Sequence, residues 1–184
     1  VCLLLRNLID PADNSWEIKR LTEGGIPDSG LALSGGLLFY NTWTDTLLPD
    51  WSRNLHVLDL TTGQIRDVAS DHRRNRLIEA AGRRALWVSQ DEGGEVALLY
   101  DYDEATLTEL PFPADASGKW VLSEEYVVRD GGTGVDVYHI ASGTMTHYDY
   151  EGTGPGYLCD SDAGLVAYLA AGSGGSDIYL LDLT

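Results

Sequence analysis

"VLDLTTGQIRDV" (residues 57–68) reads as two short strands around a tight turn. The turn is Thr61-Thr62-Gly63. Glycine at its third position accepts positive φ at no steric cost, as a three-residue hairpin with a bulge requires. The stretch recurs. "LIDPADNSWEIKRLT" (8–22), "LYDYDEATLTEL" (99–110) and "VYHIASGTMTHY" (137–148) align with it, and "LLDLT" (180–184) begins the unit again. One position just before the turn holds Asp10, Asp59, Asp101, His139 and Asp182, in steps of 49, 42, 38 and 43 residues. A period near 40 is that of a four-stranded propeller blade.

The rest of the unit repeats too. Pairs of short apolar runs around a small or polar turn precede the last four copies. They are "LALSGGLLFY" (31–40), "LIEAAGRRALWV" (77–88), "WVLSEEYVV" (120–128) and "YLCDSDAGLVAYL" (157–169). Such pairs are hairpin signals. Each unit therefore reads as strands A to D, with tight A–B and C–D turns and a looser B–C loop. No stretch carries a helical apolar period, and Pro and Gly interrupt every candidate.

The expected fold is all-β: one β-propeller domain over 1–184, built of four-stranded antiparallel blades. Three blades are complete (about 31–70, 76–112 and 118–151) and two are partial (about 1–22 and 156–184). Two closures fit: a fragment of a larger ring, or a four-bladed ring whose N-terminal D strand pairs with the last C strand. The first is favoured, since the chain lacks an initial Met and stops before a D strand. Unpaired edge strands in a fragment invite association. A parallel β-solenoid competes less well, because its coils are usually shorter and lack these hairpins.

A four-stranded sheet cannot bury both its faces alone, and stacking blades around an axis solves this. Val57, Leu58, Leu60, Leu98, Leu99, Val137, Tyr138, Ile140, Tyr179, Leu180 and Leu181 are placed in those faces, with Phe39, Trp87 and Tyr168 as blade-to-blade core. The C–D turns carry Asn14, Gly63 and Gly143 at matching places, while Ala105 breaks the pattern, so its turn must differ or carry strain. The recurring Asp is read as a turn residue whose carboxylate accepts backbone N–H bonds. A ring of catalytic aspartates is disfavoured by His139 in one copy.

"SDAGLVAYLAAGSGGSDIYLLDLT" and "IDPADNSWEIKRLT" resemble blades of the TolB-like, WD-repeat-like propellers. Those blades have a Pro-Asp-Gly-type A–B turn, a strand ending in Asp, and a Leu-Thr closing strand D. Leu21-Thr22 matches the last feature, and Ser161-Asp162-Ala163-Gly164 is the nearest A–B turn. The other A–B turns, Ser-Gly-Gly, Ala-Gly-Arg and Ser-Glu-Glu, depart from the pattern. The resemblance spans the chain and implies fold rather than function. It also implies a periplasmic or extracellular location, with which the acidity is compatible.

Charge narrows the partners. With 29 acidic and 12 basic residues the net charge is −17. Such a chain repels phosphate backbones and anionic membranes, so nucleic acid is excluded as a partner. No apolar run approaches the roughly 18 residues of a membrane span. Cys2 and Cys159 form no CxxC pair, and two unpaired thiols are favoured over one bridge. "DEGGE" (91–95), "RDGGTG" (129–134) and "AGSGGSD" (171–177) lack the Lys-Ser/Thr of a phosphate-binding loop. Asp160 and Asp162 lack the other ligands of a calcium loop, and the four histidines are dispersed. No metal or cofactor is expected, and neither GxSxG nor HExxH occurs.

In a propeller the D–A and B–C loops share one face, which is the default binding face here because its loops are longer. The longest, "WTDTLLPDWSRN" (43–54), offers Trp43, Asp45, Asp50, Trp51 and Arg53. Tryptophans beside carboxylates grip sugars or peptides by stacking and oriented hydrogen bonds, unless they fold back onto the core. "DHRRNRLIEAAGRR" (71–84) splits in two. His72, Arg73 and Arg74 precede strand A on the binding face, where they hold a carboxylate or offset nearby acids. Arg83 and Arg84 lie in the turn beyond it, roughly 20 Å away at about 3.3 Å per residue. The sequence thus favours a non-catalytic recognition propeller for a protein, peptide or glycan. The alternatives are the substrate-gating propeller of a prolyl-oligopeptidase-type hydrolase, whose catalytic domain is absent from this chain, and a hydrolase or lyase with a channel-mouth site.

Overall fold

The computed structural model describes residues 3–6, 17–20, 27–43, 53–69, 74–91, 94–112, 118–151, 156–162, 164–172 and 175–183. These residues form strands, turns and connections, with no helix among them. A two-stranded sheet pairs β1 (Leu3–Arg6) with β2 (Glu17–Arg20). Three four-stranded sheets follow. Blade 2 has β3 (Pro27–Ser34), β4 (Leu37–Trp43), β5 (Arg53–Asp59) and β6 (Ile65–Ala69). Blade 3 has β7 (Arg74–Ala81), β8 (Arg84–Asp91), β9 (Gly94–Asp101) and β10 (Thr106–Glu109). Blade 4 has β11 (Trp120–Leu122), β12 (Tyr126–Asp130), β13 (Gly134–His139) and β14 (Thr144–Asp149). Blade 5 shows three strands, β15 (Gly156–Asp162), β16 (Leu165–Gly172) and β17 (Gly175–Asp182).

Every sheet is antiparallel with its strands in chain order. The first strand of each blade is innermost: β3 lies beside β7, β7 beside β11, and β11 beside β15. The last strands, β10 and β14, are exposed at the periphery. This is a β-propeller arrangement. Strand A enters earlier than the sequence suggests, at Pro27 and Arg74, because the polar residues there continue the ladder. Arg74 and Arg76 therefore lie in strand A rather than before it. The strands also absorb both ends of the expected 43–54 loop, Trp43 in β4 and Arg53 in β5.

Alternation along the middle strands sends successive side chains to opposite blade neighbours. Leu37, Phe39, Leu55 and Val57 meet Leu77, Ala85, Trp87 and Tyr100 between blades 2 and 3. Leu86, Val88, Ala97 and Leu99 meet Trp120, Leu122, Val127 and Tyr138 between blades 3 and 4. Val128, Val135 and Val137 meet Leu158 and Val166 between blades 4 and 5. Each seam holds an aromatic contact: Phe39–Trp87 at 6.0 Å edge-on, Phe112–Trp120 at 4.8 Å edge-on, and Tyr150–Tyr168 at 4.8 Å tilted. Phe39, Trp87 and Tyr168 are the buried core residues expected of them. Leu180, expected in the core as well, is 69 % exposed. Cys159 is a free thiol, and Cys2 lies outside the described residues.

Candidate functional site

The strands leave two rims. On one, A–B and C–D turns are stitched by a single repeated backbone bond. Leu60 N–H donates to Gly36 O at 3.0 Å, Tyr102 to Arg83 O at 3.1 Å, Ile140 to Glu125 O at 2.9 Å, and Leu183 to Gly164 O at 2.8 Å. The recurring acid is consumed in the same place. Asp59 Oδ1 accepts from Thr61 and Thr62 N–H at 2.8 and 3.1 Å, and Asp101 Oδ1 from Asp103 and Glu104 N–H at 3.0 and 3.2 Å. His139 substitutes with Nδ1, which takes the Ser142 N–H at 3.3 Å. The amide of Thr62 above all, with those of Thr61 and the Tyr102 hydroxyl, holds Asp59 below the usual carboxylate range against its desolvation. At Asp101 burial pushes upward, but the Glu104 amide and Arg84 outweigh it. Asp59, Asp101 and His139 thus each accept the backbone N–H groups of their own turn. Asp10 lies outside the described residues.

Arg83, in the turn, and Arg84, which begins β8, face opposite neighbours. Arg83 Nη1 donates back to Gly35 O of blade 2 at 3.2 Å, while its Nε pairs with Asp103 at 2.7 Å. Arg84 Nη1 donates forward to Glu124 O of blade 4 at 2.9 Å, while its Nε pairs with Asp101 at 2.7 Å. Arg83 and Arg84 thus tie blade 3 to blades 2 and 4.

The opposite rim collects the B–C and D–A connections. Asp45, Asp50, Trp51, His72 and Arg73 lie outside the described residues. Trp43 ends β4 directly across the ladder from Arg53, which begins β5. Arg74 begins β7, across from Gln90. The described members of the two candidate groups, Trp43, Arg53 and Arg74, stand at strand ends of blades 2 and 3. The Asn75 amide donates to Arg53 O at 2.9 Å, and the Asn41 amide donates to Asn75 O at 3.2 Å. Asn41, Asn75 and Ser89 are buried to 1 % exposure or less. Asn41 Oδ1, Asn54 Oδ1 and Ser89 Oγ have no hydrogen-bond partner among the described residues. Buried polar atoms are rarely left so, which marks this seam as polar ground beneath the rim. Gly30 makes it fit: a Cβ there would meet Asn41 Nδ2 at 2.8 Å and Leu77 Cβ at 3.1 Å. Asn75 and Ser89 were not legible as site residues, since nothing in "DHRRNRL" or "WVSQD" distinguishes them from ordinary strand polar residues.

A groove of about 320 Å³ opens between blades 3 and 4, on the turn side. Its walls include the Arg84–Asp101 pair, Glu104, Thr106, Thr108 and Tyr138. The one hint in the sequence is the Thr-Leu-Thr alternation of β10, which puts both hydroxyls on one face. Among the described residues no group of three His, Cys, Asp or Glu side chains is placed to hold a metal ion. No helix among them is long and apolar enough to cross a membrane.

No protein-family model matches the chain, and no curated protein does. Solved structures do. TolB of Acinetobacter baumannii superposes with a TM-score of 0.57 at 13% identity, over 98% of this chain and 49% of that one. The likeness is one of fold. The β-propeller domain of the Trilobed protease of Pyrococcus furiosus, described as having an open velcro topology, gives 0.58 at 10% identity over 86% and 55%. A prolyl endopeptidase gives 0.51 at 16% identity over 82% of this chain and 26% of its own. The chain spans about half the length of the Acinetobacter protein. A β-propeller fold like that of TolB is thereby supported, and nothing specific to WD repeats is.

Proposed function

We propose that this chain is a non-catalytic recognition propeller that binds a protein, peptide or glycan on its loop rim, at the seam of blades 2 and 3. One observation carries the reading: the Asn75 amide on the Arg53 carbonyl draws the Trp43/Arg53 strand ends to the start of β7 at Arg74. Trp43, Arg53 and Arg74 at those strand ends, beside the buried Asn41, Asn75 and Ser89, are residue types that suit a stacking and hydrogen-bonding site, which supports the reading. On the other rim Asp59, Asp101, Arg83 and Arg84 serve turns and blade contacts. A periplasmic or extracellular location, the one where such a module meets extended peptides or glycans, belongs to the same proposal.

The test is a peptide and glycan array probed with the chain, followed by fluorescence titration of each hit. Trp43→Ala and the double variant Arg53→Ala/Arg74→Ala should each weaken binding tenfold or more. Thr62→Ala, on the turn rim, should leave it unchanged. Binding indifferent to the loop-rim variants but lost with Thr62→Ala would reverse the assignment of faces. Turnover of any array ligand would replace recognition by catalysis.

A further inference from the structure

The groove between blades 3 and 4 is formed by two sheets whose four strands are all described. Its lining comes from β8, β9, β10 and the end of β13, with no residue of the innermost strands, so it opens at the periphery. The ladder explains the near wall. Asp101 pairs with both Arg84 and Thr106, and Leu99 pairs with Thr108, so these side chains share the face of blade 3 turned to blade 4. Tyr138 and Ile140 form the far wall. Three charged side chains line the space. Arg84 Nε and Asp101 Oδ2 take each other at 2.7 Å, which leaves the Glu104 carboxylate. That carboxylate and the Thr106 and Thr108 hydroxyls have no hydrogen-bond or ion-pair partner among the described residues. All three residues are exposed.

The groove thus offers one negative charge, two hydroxyls and apolar walls at Leu99 and Ile140, in a chain of net charge −17. That set matches a cationic head on a hydrocarbon stem, as Lys and Arg side chains carry. It matches a sugar poorly. Tyr138 is 9 % exposed and its ring lies 6.4 Å from that of Phe112, so little of its face is open for stacking. The position of β10 decides the form of the ligand. It is the outer strand of its sheet and pairs with β9 alone among the described strands. An extended segment added along its outer edge sends alternate side chains to the side of Thr106 and Thr108. We propose that the groove is a docking site for an extended basic peptide, which lies along β10 and sets a Lys or Arg side chain beside Glu104 and the two threonines. The site is separate from the loop rim, and the inference does not depend on the reading of that rim.

Fluorescence anisotropy and amide NMR spectra of the 184-residue chain test this. The probe is fluorescein-labelled Thr-Val-Lys-Val-Thr, with Arg, Gln or Glu at the centre for comparison. The Lys and Arg peptides should bind best, move the amides of residues 99–108 and 138–141, and weaken as sodium chloride is added. Glu104→Gln should weaken the Lys peptide about threefold, the scale of an exposed ion pair. Thr108→Trp, which fills the groove, should abolish binding with an unchanged β-type circular dichroism spectrum. Glu109→Gln removes the same charge from the opposite face of β10 and should leave binding unchanged. Equal losses with Glu104→Gln and Glu109→Gln overturn the proposal, because they show attraction to the acidic surface as a whole. So do amide shifts confined to other residues, equal binding of the Lys and Glu peptides, or no binding of any peptide at millimolar concentration. Maltotriose moving the groove amides in place of the peptides overturns it in favour of a glycan.

Discussion

The Tyr102 hydroxyl of blade 3 donates to Asp59 Oδ2 of blade 2 at 3.1 Å. Two guanidinium groups lie over its ring, with Arg66 Cζ 4.0 Å and Arg83 Cζ 4.7 Å from the centroid. Burial and the Asp59 carboxylate push the phenol upward from its ordinary value, so it stays a donor. The bond ties a capped turn of one blade to the next. Tyr102→Phe keeps the ring beneath its arginines and removes only the bond. It should cost about 1 kcal/mol in urea unfolding. An unchanged midpoint would assign the seam to the ring alone.

Ala105 occupies the turn position that glycine fills in its sister blades. Its φ is 52°, against 75° at Gly63 and 67° at Gly143. It is the only described non-glycine residue in the left-handed region. The turn therefore keeps the common geometry and carries the strain. Ala105→Gly should stabilise the chain by about 1 kcal/mol, read as a higher unfolding midpoint. Gly63→Ala should move it the opposite way.

His147 on β14 stands between two carboxylates, with Nδ1 2.7 Å from Asp136 and Nε2 3.3 Å from Asp149. The hydrogen bond to Asp136 leads in raising its pKa above the ordinary 6.5, and burial opposes it. A folded value above the unfolded one binds the proton more tightly in the native state. The stabilisation is complete below about 6.5 and is lost as pH rises through the folded value. For so exposed a pair it is below about 1 kcal/mol. Thermal midpoints of the wild-type chain should fall across that window relative to His147→Asn. Parallel profiles would remove the histidine as their cause.

Glu79 reaches from β7 to the neighbouring innermost strand, where Oε2 accepts the Leu122 N–H at 2.8 Å. Burial raises its pKa, and the Leu122 amide offsets this only in part. Ionised Glu79 thus opposes folding, and that cost disappears as pH falls through the folded value toward 4.5. Glu79→Gln keeps the acceptor and removes the charge. It should raise the midpoint at neutral pH and narrow the gain on acidification. Glu79→Ala should lower the midpoint, because the Leu122 N–H loses its acceptor.

The blades were legible because their signals are local. The turn glycines, the recurring Asp and the apolar run before it all sit within a dozen residues of one another. The split of the arginine cluster was legible too, since it needs only strand length. What lay beyond reach depends on how one blade rests on the next. Arg53 and Asn75 are 22 residues apart and become neighbours only when β5 and β7 pack across a seam. Leu180 shows the same limit from the other side: its apolar character reads as interior, yet it is exposed on the last described sheet. The strand starts at Pro27 and Arg74 were missed because polar residues there join the ladder without changing its composition.

The repeated stitch between A–B and C–D turns has an evolutionary consequence. Since each blade is closed at one end by Leu60 to Gly36, Tyr102 to Arg83, Ile140 to Glu125 or Leu183 to Gly164, its cohesion asks little of the other end. Insertions, deletions and wholesale swaps there can be screened by selection for new ligands without first being screened for collapse of the sheet. That separation makes the chain a natural platform for grafted loops.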